Sequence, residues 1–227
     1  MKKHPAHGSL IVLEGIDGSG KSMQTALLVK HLRKEGYKTT ALDFPQYRRK
    51  SAGLVEEYLA GKYGLAENVN PYAASIFYAV DRYDMSFKIR SWLGKGTVVV
   101  VDRYVGSNVG HQGGKVKSEQ ALAKFILWLY ELEYDIFQIP KPDRTFFLDI
   151  SPKIARKLCD DPERRKRKKK DIHERDIKHF LNTDKAYRHA IRMFPKDFTP
   201  IECVSRGQLL SPREIHEKIW EYVKKLL

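Results

Sequence analysis

Cysteine is scarce in this chain of 227 residues. The two present, Cys159 and Cys203, stand far apart and show none of the spacings that metal sites use. That argues against a disulfide scaffold or a zinc module, and both thiols read as reduced and incidental, as in a cytoplasmic protein. Long apolar runs are missing too. Leu10–Leu13, which follows the polar start Met1–Pro5, is far too short for a membrane span or a signal-peptide core, so no membrane partner is expected. Acidic residues are few beside basic ones, 28 against 42. There is no internal repeat and no Gly/Ser-rich linker. The expectation is one domain over residues 1–227.

Hydrophobic residues make up 42% of the chain, enough for a sizeable core. The net charge is +14, and the uninterrupted run Arg164–Lys170 carries half of it. Such a balance suits a polyanionic ligand, whether nucleic acid, membrane surface or nucleotide phosphates, and charge alone does not choose among them.

Short apolar or β-branched runs predict strands at Ser9–Leu13, Lys38–Asp43, Thr97–Asp102, Arg144–Asp149 and, more weakly, Phe198–Val204. They are continuous rather than alternating, the pattern of strands covered on both faces. Helical periodicity lies between them, over Lys21–Gly36, Pro71–Leu93, Ser118–Phe137, Pro152–Leu158 and His173–Phe194. A last helix opens on the capping signal Ser211-Pro212-Arg213-Glu214. Alternation of this kind predicts a three-layer α/β fold, a five-stranded parallel sheet flanked by helices. Residues 159–172 read as an appended lid.

The segment Gly15-Ile16-Asp17-Gly18-Ser19-Gly20-Lys21-Ser22 matches G-x-x-x-x-G-K-[ST] in full, directly after one strand and directly before one helix. Glycines let the backbone turn so that successive N–H groups face a phosphate. Lys21 supplies a cation between β- and γ-phosphates, and Ser22 offers a hydroxyl to Mg²⁺. Asp102 and Arg103 close a strand of four valines. In a parallel sheet the carboxyl ends of strands surround the ligand crevice, so Asp102 is a candidate to hold Mg²⁺ and Arg103 to grip phosphate bidentately.

Several segments together resemble the thymidylate kinases of the P-loop nucleoside monophosphate kinase group, over nearly the whole chain. They are Leu13–Ser22, Phe44-Pro45-Gln46-Tyr47, Phe77–Arg82, Asp102-Arg103-Tyr104 and Ser107–Gly113. The resemblance implies the P-loop NTPase fold and phosphoryl transfer from ATP to dTMP, giving dTDP and ADP for dTTP synthesis. It also implies a homodimer; Ile76, Phe77 and Val80 on the third helix read either as part of that contact or as core. Gly15 to Ser22 with Met23 would hold ATP, and Arg156 and Arg206 would lie on its adenine side. Asp17 would sit near the acceptor's sugar and phosphate. Phe44, Pro45 and Tyr47 would border the acceptor, with Arg48 next along. Tyr78 would stack on the base where relatives carry Phe, and Arg82 would reach a base carbonyl. Ser107, Asn108 and Gln112 would line the pyrimidine side. His111 stands where many relatives have a Tyr against the deoxyribose, which bears on exclusion of a 2′-hydroxyl.

Members of the family carry a catalytic arginine either in the P-loop or in the lid. The P-loop position here is Gly18, so this chain resembles the lid-arginine type, with Arg164, Arg165 and Arg167 as sources. Lys21, Arg103, Asp17, Arg164 and Arg167 form the expected catalytic set. Rival readings are another pyrimidine nucleotide kinase, a nucleic-acid-binding P-loop ATPase using the basic run, and a nucleotide-binding partner without chemistry. The second lacks a strand end of the Asp-Glu type. Intact Lys21, Ser22, Asp102 and Arg103 argue against the third.

Overall fold

A computed structural model describes residues 7–161 and 177–227. The predicted lid therefore falls largely outside the described residues, and with it Arg164, Arg165 and Arg167. Five strands run parallel in one sheet of order β2-β3-β1-β4-β5, with β1 at Leu10–Glu14, β2 at Thr39–Asp43, β3 at Val98–Asp102, β4 at Arg144–Asp149 and β5 at Phe198–Glu202. The uniform apolar runs of β1 and β3 are explained by position: both are central and wholly buried, whereas β2 lies at an edge and is partly exposed.

Among the described residues eight α-helices connect the strands or follow them: α1 (Lys21–Lys34), α2 (Gly53–Leu59), α3 (Pro71–Leu93), α4 (Val105–Gly113), α5 (Glu119–Tyr130), α6 (Pro152–Asp160), α7 (Ile177–Met193) and α8 (Pro212–Leu226). Local sequence starts four of them. Asn70, Ser118, Ser151 and Ser211 each cap a helix through the side chain, and Ser211 with Glu214 completes the expected capping box.

Three differences from the sequence reading have physical causes. The weak fifth strand ends at Glu202; Val204–Ser205 (β6) then folds back on Gln208–Leu209 (β7) as a small hairpin, with Arg206 in its turn at φ 51°. The helix after Ser118 changes to π winding over Glu131–Ile136, which carries Glu133 into the interior. Third, α2 and α4 carry no helical signal. In α4 the three glycines of Val-Gly-Ser-Asn-Val-Gly-His-Gln-Gly lower helix propensity, and packing on α7 holds the helix instead.

Close approach of α4 and α7 is what places Ser107, Asn108, His111 and Gln112. Gly110 has no room for a side chain, since a Cβ there would lie 2.3 Å from the Tyr187 ring. Gly110→Ala is therefore expected to lower unfolding stability by about 1–3 kcal/mol, the usual range for overpacking. Gly53→Ala, where an added Cβ meets nothing within 4 Å, should be neutral or slightly stabilising. Equilibrium urea denaturation of both variants checks this.

Candidate active site

Strand register assembles the site. Leu13 pairs with Asp102, and Asp102 with Asp43, so the turns leaving β1, β2 and β3 emerge side by side. Backbone bonds fasten them: Arg103 N–H donates to Leu13 O at 3.0 Å and Phe44 N–H to Asp102 O at 3.1 Å.

The turn after β1 is the phosphate loop. Gly18 and Gly20 hold φ of 77° and 91°, the left-handed region that favours glycine, and Gly20 opens α1 with no side-chain cap. Lys21 is buried and donates to the carbonyls of Gly15 and Ile16, 2.9 and 3.0 Å away, which arches its ammonium over the loop. Burial, helped by the nearby Arg103 cation, lowers its pKa to about 8. Ile16 and Ser19 are buried beneath the loop, and Met23 is exposed on the first turn of α1.

Gly18 faces α6 so closely that a Cβ would meet the Ala155 carbonyl at 2.3 Å and Cys159 Sγ at 2.8 Å. No side chain fits there, so an arginine cannot be carried at that position of this loop without moving α6. Arg156, next to Ala155, is half exposed and within 3.7 Å of Asp160.

Asp102 and Ser22 pass the test for a hard divalent cation. The Ser22 hydroxyl donates to Asp102 Oδ2 at 2.5 Å, while Asp102 Oδ1 is buried without a hydrogen-bond partner among the described residues. Oxygen donors of this kind suit Mg²⁺.

Arg103 joins the loop to the neighbouring cleft. Its φ is 70°, unusual for a non-glycine residue. One nitrogen of its fork pairs with Asp17 and another lies 3.1 Å from His111 Nε2. Burial opposes ionisation of Asp17, but Arg103 above all outweighs it and holds the carboxyl well below the ordinary range.

The cleft has a volume of about 990 Å³. It is lined by Asp17, Ser22, Phe44, Pro45, Tyr47, Arg48, Tyr78, Arg82, Asp102, Arg103, Ser107, Asn108, His111 and Gln112. The structure thus brings every candidate acceptor residue to one place, together with Asp102 and Ser22. Their commitments differ. Arg82 is only 1% exposed, and its Nε and Nη2 are bound by Glu133 at 2.6 and 2.5 Å. Ser107 donates its hydroxyl to Glu14, and Asn108 donates to Ser75 O at 3.1 Å. Gln112 differs: both its amide atoms are buried without a partner among the described residues. An unsatisfied amide in a cleft wall is a ready donor–acceptor pair for a ligand edge.

Three supporting residues escaped the sequence reading. Glu14, fully buried, accepts from Tyr104 N–H, Ser107 N–H and hydroxyl, and the Tyr187 hydroxyl at 2.7–3.0 Å. Asp81 accepts from Gln46 N–H and the Ser51 hydroxyl, tying the Phe44–Tyr47 turn to α3. Glu133 neutralises Arg82. Glu14 and Asp81 sit inside the segments that carry the resemblance, but only their long-range partners reveal what they do.

A phosphate cradle that opens through one shared arginine onto a second, nucleotide-sized cleft defines a P-loop kinase of the nucleoside monophosphate type. Comparison with known proteins narrows the class, for the family model "Thymidylate kinase" matches residues 13–219. The chain belongs to the thymidylate kinase family. It is 33% identical over 148 residues to the thymidylate kinase of Mycobacterium tuberculosis, covering 64% of this chain and 68% of the relative. It is 30% identical over 226 residues to that of Caldanaerobacter subterraneus, covering 96% and 97%. The human thymidylate kinase is 32% identical over 144 residues, covering 63% and 61%. A solved thymidylate kinase from Candida albicans has the same fold, with a TM-score of 0.70 at 22% identity over 96% of this chain and 92% of its own. Kinases of this family take ATP as phosphoryl donor, generally with a divalent metal ion.

The lowered Lys21 pKa predicts that ATP binding is proton-linked. Above about pH 8 the free lysine is largely neutral, and anionic phosphates restore its charge. Binding at about pH 9 should therefore take up a proton and weaken as pH rises further. Calorimetry in buffers of different ionisation enthalpy should register the uptake, and Lys21→Met should abolish it.

Proposed function

We propose that the protein transfers the γ-phosphoryl group of ATP to dTMP with Mg²⁺ as the metal, as a cytoplasmic homodimer supplying dTDP for dTTP synthesis. The observation that carries this reading is the Arg103 guanidinium, which touches Asp17 of the phosphate loop and His111 of the cleft at once.

In this reading ATP lies on residues 15–23, with Arg156 and Arg206 on its adenine side. The acceptor lies between Phe44, Pro45, Tyr47, Tyr78 and Arg82 on one side and Ser107, Asn108, His111 and Gln112 on the other. Ser22 and Asp102 would hold Mg²⁺, which when bound would offset phosphate charge. Lys21 holds the β- and γ-phosphates, and Arg103 draws the acceptor phosphate toward the γ-phosphorus. An acceptor oxygen, already anionic near neutral pH, forms the new P–O bond as the bond to the β–γ bridging oxygen breaks and ADP leaves. No general base is required; positioning and charge stabilisation do the work. The side-chain-free contact of Gly18 with α6 supports assigning the further cation to Arg164 or Arg167, in an appended lid over residues 159–172 of a single-domain chain.

The homodimer is supported by α3. Tyr72, Ile76, Val80, Tyr83 and Phe87 recur at helical spacing and are 38–59% exposed, an apolar stripe along one face. With only two cysteines far apart in the sequence, Cys159 and Cys203, the chain suits a reducing compartment. Among the described residues no helix is long and apolar enough to cross a membrane.

In a coupled assay with dTMP, dUMP, dCMP and UMP, dTMP should be the preferred acceptor; preference for another would overturn the substrate assignment. Lys21→Ala and Arg103→Ala should each lower kcat/KM by about 10²–10³-fold, the loss usual for a group that stabilises transition-state charge. Val80→Glu, at an exposed position, should leave the far-ultraviolet circular dichroism unchanged while light scattering reports a monomer.

A further inference from the structure

Beside the acceptor cleft, α7 contributes a side chain that neither the sequence motifs nor the cleft lining includes. His179, third residue of α7, places Nε2 3.1 Å from Nδ1 of His111, with the two rings nearly parallel at an interplanar angle of 21°. The other nitrogen of His111 lies 3.1 Å from an Arg103 nitrogen.

Donor and acceptor roles in this row follow from elementary chemistry. A guanidinium only donates, so His111 Nε2 must accept from Arg103. In the neutral form of His111 the single N–H then sits on Nδ1 and points at His179 Nε2. The latter must then accept, which leaves the proton of His179 on Nδ1. One tautomer of each ring satisfies the row, and the direction runs from Arg103 through His111 to His179. The Thr183 hydroxyl, 3.4 Å from the same nitrogen of His179 and one turn along α7, is a second and longer neighbour.

We infer that His179 is a positioning residue for phosphoryl transfer: by accepting from His111 Nδ1–H it fixes the tautomer that lets His111 receive Arg103, and so holds the Arg103 fork in place between Asp17 and the acceptor cleft. This rests on the reading of Arg103 as the group that grips the acceptor phosphate. The Arg103 fork also meets Asp17, and a fork held at two points is oriented whereas one held at a single point can swing. A different use of the same groups is a metal site, since donor atoms of Asp17, His111 and His179 lie within 4.8 Å of one another. Arg103 already touches two of these three groups, so its charge opposes a cation there.

The test uses the full-length enzyme and three measurements. First, ¹⁵N-resolved imidazole spectra of the wild type should show His111 protonated on Nδ1; protonation on Nε2 would overturn the proposal outright. Second, His179→Leu keeps bulk but removes the acceptor, and kcat/KM for dTMP should fall about tenfold, the scale of a small misplacement of a reacting group, while KM for ATP stays unchanged. Third, His179→Gln, whose amide oxygen can stand in for Nε2, should recover most of the lost activity and the Nδ1–H signature. Wild-type kcat/KM in His179→Leu, or a Gln variant as impaired as the Leu variant, would refute the positioning role. If His179→Leu fails to fold, the wild-type spectra and the Gln variant still decide. Full activity in Arg103→Ala would instead refute the reading of Arg103, and the wild-type spectra would still report whether the row exists.

Discussion

A single buried carboxylate organises the ligand-bearing end of this molecule. Glu14 ends β1, immediately before the phosphate loop, and its carboxylate oxygens are held by neutral donors. It is kept in the interior by donors from three directions: the backbone of the β3–α4 turn, the Ser107 hydroxyl and the Tyr187 hydroxyl of α7. A buried acceptor that lost these bonds would carry its full desolvation penalty. The turn that presents Arg103, the helix that lines the cleft and the helix behind it are therefore all tied to the strand that launches the phosphate loop. Gly106 belongs to the same arrangement, because a Cβ there would come within 3.0 Å of the Glu14 carboxyl group.

The two halves of the site are built by opposite means. The phosphate half is backbone: glycines at positive φ, a helix start without a side-chain cap, and a lysine folded back onto carbonyls. Its selectivity is for charge and curvature. The cleft half is side chain, with charges neutralised in pairs. Arg82 with Glu133 and Arg103 with Asp17 let guanidinium groups stand in a partly apolar wall without an uncompensated charge. Two of the Arg82 nitrogens are held by Glu133, so its charge is already paired within the wall. The amide of Gln112, by contrast, is buried in the wall with neither polar atom bonded among the described residues.

The contact between Gly18 and α6 ties the phosphate loop to the helix that leads toward the basic run. It also excludes from the loop the arginine that some relatives place there, since the obstacle is a backbone carbonyl rather than a flexible side chain that could move aside.

The phosphate loop, the five strands and most helices were legible because their signals are local: a contiguous motif, continuous apolar runs, and caps within three residues of what they cap. The residues that line the cleft were legible through short motifs whose members lie within one turn or one strand end of each other. What the sequence by itself determined is therefore the parallel α/β sheet, the phosphate loop and the set of side chains that line the cleft. Only the tertiary structure decided how those side chains are used. Glu14 meets Tyr187 across 173 positions, His111 meets His179 across 68, and Arg82 meets Glu133 across 51 through a π turn with no sequence signal. The glycine-rich α4 is held by packing against distant elements, α7 above all. Each of these depends on which distant group fills the second half of a buried hydrogen bond, and chain-local propensity carries no information about that partner.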